Sequence, residues 1–514
     1  MSVLLLAMIA MVYVYFSSLN KSAAVNDLSL NAVSANAALV FSFDHDKSFY
    51  EILGGQDLFQ RILGKVKSDQ LASLSKNFIA KPEFSGFLDG QKIYMGFLPS
   101  ADGKIDYLIC TQVKQELQLQ QFLSKNLPRN IKITQLKDMV KLSFADSAVL
   151  YLGIKDKLIV LSNANEPIRK ALDNLQGKAS SFATYIKSNT VSTKNSLANL
   201  YLNFDALPDF ITTIVNGSIN GELGAFNQKG TYATLNYNFS SEKLLFNGIT
   251  SLGDSNSYYQ LFTNLPDQKT LINNLLPQNT ANYTIYAIAD YKKWLSELSI
   301  WLGEQKVNAP ILANKETISK KYGLDLDRIF PNYFKNQFIT FQLASGEKFG
   351  GIALSNGEKV NQLLLDLSED YAPDIKIFRE GGIPFTYFGE PFKKFEKPYY
   401  TIIDNYLVMA NNASSLQVFL NSYRENRLLV NNEDYQYFND QLSTATISFY
   451  LNNKNSNTLF GRNLKAPYFK QYQSKDGLRG FEAFSYQLSG DKGKFLSNVL
   501  LAKKQQKTVD TLKN

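Results

Sequence analysis

The chain carries one pattern twice. Ile154–Leu172 (IKDKLIVLSNANEPIRKAL) aligns without a gap on Ile402–Leu420 (IIDNYLVMANNASSLQVFL) at an offset of 248 residues. The identities are Ile154/Ile402, Asp156/Asp404, Val160/Val408, Asn163/Asn411 and Leu172/Leu420, and apolar residues meet apolar ones at Ile159/Leu407, Leu161/Met409 and Ile168/Leu416. A burial pattern repeated along with the letters requires a fold that can be built twice from similar units. Copies that share apolar positions but not polar ones make the common part scaffold, and place any site where the copies differ or meet.

Four further windows extend the correspondence. Ser34–Leu53 runs beside Thr280–Ser299 at an offset of 246, sharing Ala35/Ala281, Asp44/Asp290 and Lys47/Lys293. Ile131–Phe144 runs beside Ile375–Phe388 at 244. Tyr201-Leu202-Asn203 matches Tyr450-Leu451-Asn452, and Tyr237–Ser240 matches Tyr486–Ser489, both at 249.

At 514 residues the chain exceeds one ordinary core. The reading is a first copy over 36–253, a linker over 254–279, a second copy over 280–503 and a polar tail over 504–514. With 45% hydrophobic and 19% charged residues this is the composition of a folded chain.

The amino terminus bears on compartment. Met1–Asn20 carries no charged side chain, and Val3–Phe16 is unbroken apolar sequence. As a helix, the run to Leu19 reaches about 25 Å against a hydrocarbon core of about 30 Å. A buried core helix would show a polar face, and a cleavable signal would carry Lys or Arg ahead of the apolar run. The expectation is a retained transmembrane anchor over 1–20, then a polar tether over 21–35, with the body extracytoplasmic (periplasmic) on a single-pass protein. A single cysteine, Cys110, excludes an intrachain disulfide, and its place in DYLICTQV marks it as a core residue of a strand.

The elements come in similar order in the two copies. Each is read as a strand and helix, a hairpin (Lys92–Phe97 with Tyr107–Gln112; Gln337–Leu343 with Gly350–Leu354), a helix, four strands, a helix at Glu166–Leu175 or Ser415–Ser422, a strand at Tyr201 or Tyr450, and a closing hairpin. Runs of adjacent strands broken by helices predict α+β: two tandem, structurally similar domains with mainly antiparallel sheets flanked by helices.

The chemistry is mostly exclusion. One histidine, His45, rules out His-rich zinc sites, and with one cysteine a Cys/His site lacks ligands. Asp44-His45-Asp46 has no counterpart in Asp290-Tyr291-Lys292, and capping of the next helix accounts for it. Asp325-Leu326-Asp327 lacks a calcium loop, no G-x-S-x-G elbow accompanies His45, and Gly346, Gly350 and Gly351 lack P-loop spacing. No residue is named as catalytic, cofactor-binding or metal-ligating, and no cofactor is expected. The net charge of +8 is scattered, without the concentrated basic and aromatic patch of a nucleic-acid binder.

The anchor, the first strand Asn36–Phe41, the Leu275–Pro277 segment ahead of Tyr283–Asp290, and the Asp-x-x-Leu-Val-like segments at Asp156–Asn163 and Asp404–Asn411 resemble a bacterial domain-of-unknown-function family of membrane-anchored envelope proteins. The resemblance implies an anchored extracytoplasmic protein and assigns no residue a catalytic role. The expected function is noncatalytic binding of an envelope protein, or of an apolar or glycan ligand, between the two copies, which calls for a pocket or apolar patch where they meet. The alternative is a carboxylate-dependent hydrolase of an envelope polymer, which calls for two acidic residues facing one cleft in one copy only.

Overall fold

The computed structural model describes residues 27–44, 91–100, 103–113, 131–144, 149–173, 178–190, 198–217, 228–238, 242–305, 308–475 and 477–504, with single positions at 61, 69, 116, 118, 119, 122, 123 and 240. The expected anchor over 1–20, His45 and the tail beyond Lys504 lie outside them. No helix among the described residues is long and apolar enough to cross a membrane.

The fold is mixed α+β. Among the described residues twenty strands form a single antiparallel sheet, with thirteen α-helices. In chain order the strands are β1 (Leu39–Asp44), β2 (Lys92–Pro99), β3 (Ile105–Gln112), β4 (Lys132–Gln135), β5 (Val140–Ser143), β6 (Val149–Lys155), β7 (Leu158–Ser162), β8 (Asn199–Asn203), β9 (Tyr232–Asn238) and β10 (Lys243–Ser251). There follow β11 (Thr280–Ala287), β12 (Phe334–Leu343), β13 (Lys348–Leu354), β14 (Ser368–Ala372), β15 (Ile375–Phe378), β16 (Tyr399–Ile403), β17 (Tyr406–Ala410), β18 (Ile447–Asn452), β19 (Phe481–Asp491) and β20 (Lys494–Lys503). Their spatial order is β4-β5-β6-β7-β3-β2-β1-β8-β9-β10, then β20-β19-β18-β11-β12-β13-β17-β16-β15-β14. Read from its two edges inward, the sheet has one strand order twice, meeting at β10 and β20.

That junction corrects the expectation of separate sheets. β10 pairs with β20 over eight residues, from Lys243 opposite Ala502 to Thr250 opposite Phe495, with Asn247 facing Asn498. The Asn247 amide donates to Asn498 Oδ1, and Asn238 Nδ2 donates to Asn247 Oδ1 at 2.6 Å. On the other face, hydroxyls of Thr250, Ser497 and Tyr486 lie within 3.0 Å of one another through Thr250. Gly248 is required here: a Cβ at that position would meet the Thr234 carbonyl oxygen at 1.8 Å, so β9 can approach β10 only without a side chain.

The repeated window folds as read. In both places a strand, a two-residue turn, a strand and a helix follow (β6, β7 and Asn165–Asp173; β16, β17 and Ala413–Arg424). The shared Asp156 and Asp404 are the turn residues, at φ 55° and 49°, a left-handed conformation that Asp tolerates better than most side chains. Val160, Val408, Ile168 and Leu416 are fully buried. The shared Asn residues do different work: Asn163 Oδ1 accepts from Tyr107 N, whereas Asn411 Nδ2 donates to Lys394 O.

Strand pairing corrects three of the other windows. Tyr201 faces Val40 and Tyr450 faces Tyr283, so β8 and β18 correspond at 249 as read, but β1 and β11 correspond at 243 rather than 246. An odd displacement reverses which side chains face which side of the sheet. β9 and β10 meet at Asn236 opposite Asn247, β19 and β20 at Gln487 opposite Asn498, which displaces the Tyr237/Tyr486 match by two residues. The window at 244 sets β4 against β15, and its end, Phe388, lies in the helix Ile383–Phe388.

Two segments read as connectors are packed. Leu28–Ser34, inside the expected tether, is a helix capped by Asp27, whose side chain accepts from Leu30 N, and it buries Leu30 and Val33. The expected linker holds short helical turns at Tyr258–Phe262 and Ile272–Leu275, with Phe262 and Leu275 fully buried. In both, polar residues between apolar ones mask a short amphipathic turn.

Candidate site: an apolar cavity at the junction

A cavity of about 530 Å³ lies where the two halves of the sheet meet. Its floor is one sheet face: Leu39 and Phe41 of β1, Phe97 of β2, Leu200 of β8, Leu244 and Phe246 of β10, then Leu501 of β20, Phe484 of β19 and Leu451 of β18. Period-two alternation delivers these side chains to the same face, while Val40, Tyr201 and Tyr450 point to the opposite core. Phe41 meets Phe97 and Phe246 edge-on at 6.2 and 6.5 Å, so aromatic rings link β1, β2 and β10 along the floor.

The cover comes from the segments after β8 and β18. Leu207–Ile214 contributes Phe210 and Ile214, and the helices Asn457–Asn463 and Ala466–Gln473 contribute Phe460, Tyr468 and Tyr472. The two covers are tied together where their first helices end: Asn216 N donates to Asn463 O at 2.6 Å and Lys465 N to Ile214 O at 2.9 Å. Tyr472 packs edge-on to Phe460 at 4.9 Å and donates its hydroxyl to Asn453 O. Asn453 Nδ2 donates to Leu478 O and Phe481 O, which pins the return of the chain into β19.

The junction is treated differently at its two ends. Leu244 faces Leu501 beside the cavity, and Thr250 faces Phe495 at the far end of the same ladder. There the connecting segment fills the space: Phe262 and Leu265 present backbone carbonyls to Gly490, 2.6 and 2.7 Å from where a Cβ would stand, and Phe495 is fully buried. One end of the joint is plugged by the chain itself and the other holds a cavity.

No lining residue is Asp or Glu, and among the described residues no group of His, Cys, Asp and Glu could hold a metal. Burial, and then the charge of Asp434, push Glu482 above the usual carboxylate range against the pull of Lys504 and Lys454; burial also raises Asp267, partly offset by a hydrogen bond from Ser489. Neither lines the cavity. Cys110 is completely buried in β3 as expected, and burial pushes its thiol far up, so it is inert. Asp325 caps the helix Leu326–Tyr333 through Arg328 N, and Asp327 accepts from Lys315 and from the Tyr387 hydroxyl, both structural uses. Gly346 turns at φ 111° between β12 and β13. Nothing in the one-dimensional pattern marked Phe460, Tyr472 or Phe246 as cavity residues, since each has the spacing of ordinary core.

A family model described as a protein of unknown function (DUF3352) matches residues 1–344. No curated protein matches the chain. A solved structure, "Structure of crystal form IV of TP0453", is 12% identical, covering 45% of this chain and 82% of that one at a TM-score of 0.26.

Proposed function

We propose that this chain, which belongs to the DUF3352 family of proteins of unknown function, is a noncatalytic, membrane-anchored envelope protein. In this reading it holds an apolar chain in the cavity where two repeated domains share one sheet. The observation that carries it is the cavity itself: about 530 Å³, within the size of ordinary small-molecule sites, with a floor entirely of aliphatic and aromatic side chains. Apolar surface on this scale held open to water costs free energy that covering it recovers. A bound apolar chain removes that cost and stabilises the fold by mass action. A glycan fits poorly, because the lining is mostly apolar and two of its few polar groups donate elsewhere: the Asn453 amide to two carbonyls and the Tyr472 hydroxyl to a third. The repeated strand order supports duplication of one domain, and the uncharged apolar run over 1–20 supports the anchor and the extracytoplasmic placement.

The test is titration of the purified full chain with N-phenyl-1-naphthylamine, a neutral probe that fluoresces in apolar surroundings. Saturable binding at one site is expected. Filling the cavity from either half, with Leu200→Trp or Leu501→Trp, should weaken it at least about tenfold while the circular dichroism spectrum stays unchanged. Absence of saturable binding by the parent, or binding as tight as the parent's by both filled variants, rejects the reading.

A further inference from the structure

The two covers belong to different halves of the sheet and are joined by an isolated antiparallel bridge between Val215 and Leu464. Its backbone bonds come from the flanking residues, Asn216 N to Asn463 O at 2.6 Å and Lys465 N to Ile214 O at 2.9 Å. Val215 and Leu464 are therefore the closely spaced, non-hydrogen-bonded kind of antiparallel pair. Ile214 and Leu464 both line the cavity, which sets the bridge across it. The tie is thin: it has two bonds, and Asn216 and Asn463 are exposed, so water can take the place of a lost partner.

The second cover is otherwise held at its ends. Where it leaves β18, Asn455 Nδ2 donates to Gln278 O and Thr280 O, and Ser456 Oγ donates to Ala281 O. Where it returns, Arg61 Nη1 donates to Lys475 O at 2.9 Å. Between these points the helices Asn457–Asn463 and Ala466–Gln473 bury one residue each, Leu459 and Tyr472, and Arg462 reaches Ser345 O from the exposed surface. A span pinned at both ends, with little buried between them and a two-bond tie in its middle, opens locally at low cost.

We infer that the Val215–Leu464 bridge is a strap over the cavity, and that its opening sets the rate at which an apolar ligand enters and leaves. This rests on the apolar-cavity reading and adds a gate to it. Closed, the strap keeps Ile214 and Leu464 on the lining; open, it frees the first cover, carried by β8 and β9, from the second, carried by β18 and β19. The β10–β20 ladder beneath is untouched by that motion, so the gate costs the join of the sheet nothing.

The experiment fixes the strap and then loosens it, in the full chain. Cα atoms of such a pair stand about 4.5 Å apart, within the roughly 4.4–6.8 Å that a disulfide spans, so Val215→Cys with Leu464→Cys should join on mild oxidation. Cys110 is completely buried and stays out of the exchange. The reduced double variant is loaded with N-phenyl-1-naphthylamine, oxidised and rapidly diluted. Release, followed by fluorescence, should slow at least about tenfold on oxidation and recover on reduction, whereas a site damaged by the cross-link would release faster. Lys465→Pro loosens the strap: Lys465 has φ −64° and Leu464 before it is extended, so proline fits the backbone while deleting the N–H given to Ile214 O. Release should then be at least about threefold faster than from Lys465→Ala, with the circular dichroism spectrum unchanged. Release that oxidation leaves unchanged overturns the strap while the cavity reading stands. Where the two thiols fail to join, equal release by the proline and alanine variants does the same. Failure of the parent to bind the probe overturns both.

Discussion

The two halves of the sheet solve the same positions with opposite chemistry. On the cavity face Leu39 stands between Phe97 and Leu202, and Phe41 between Met95 and Leu200. At the corresponding places in the second half, Asn282 stands between Gln342 and Leu451, and Thr284 between Thr340 and Phe449. Four apolar residues on β1 and β2 thus answer to four polar ones on β11 and β12. Asn282 Nδ2 donates to Gln342 Oε1 at 3.3 Å, but Asn282 Oδ1 and Thr284 Oγ1 are buried without a partner among the described residues. The backbone ladder is indifferent to this exchange, because it uses N–H and C=O groups that every such residue supplies. The side chains decide how far the apolar floor runs, over β1 and β2 in the first half but not beyond β18 onto β11 and β12 in the second, and the difference teaches that one strand order can carry either chemistry on the same face.

The strongest way to break the comparison is to give the first half the second half's residue. Phe97→Gln removes a ring that is 5% exposed and leaves an amide in an apolar face, so a loss of about 4 kcal/mol is expected from denaturant melts. Binding of N-phenyl-1-naphthylamine should fall with it. An effect below about 1 kcal/mol would mean that the two faces are interchangeable.

The reverse exchange sharpens the comparison. Thr284→Val keeps the shape and removes an unpartnered buried hydroxyl, so a gain of about 1 kcal/mol in unfolding free energy is expected. A loss instead would show that the hydroxyl has a partner in solution.

The smallest effect concerns Glu482, which lies in β19. Because its carboxyl is raised in the folded state, chiefly by burial, the folded protein holds that proton more tightly than the unfolded chain does. Its contribution is fully present below the unfolded value and is lost as pH rises through the folded one. Glu482→Gln should therefore melt slightly higher than the parent at neutral pH and equally below about pH 4. A difference that grows on acidification would reverse the sign and reject this account.

Much of the local structure was legible. The window from Ile154 to Leu172 predicts its strands, its Asp turn and its helix because those features depend on alternation, a left-handed turn residue and an amphipathic period, all within twenty positions. The exclusion of Cys110 as a reactive group follows from its setting among apolar neighbours. Register was less legible: the β1/β11 correspondence differs by three residues from the best letter match, because similarity of letters rewards the match of Asp44, which ends β1, to Asp290, which caps a helix, while pairing is set by the neighbouring strand.

By itself the sequence determined the strand-turn-strand-helix window that recurs at Ile154 and Ile402, the alternation that makes strands and the scarcity of His and Cys, since each is a property of residue type and short spacing. Only the tertiary structure decided that the strands of both halves form one sheet, that Asn247 and Asn498 meet at its join, and that the connecting segment plugs one end of that join and leaves a cavity at the other. Those are contacts between residues about 250 positions apart, and their energy depends on how two surfaces fit, which no local pattern of letters encodes.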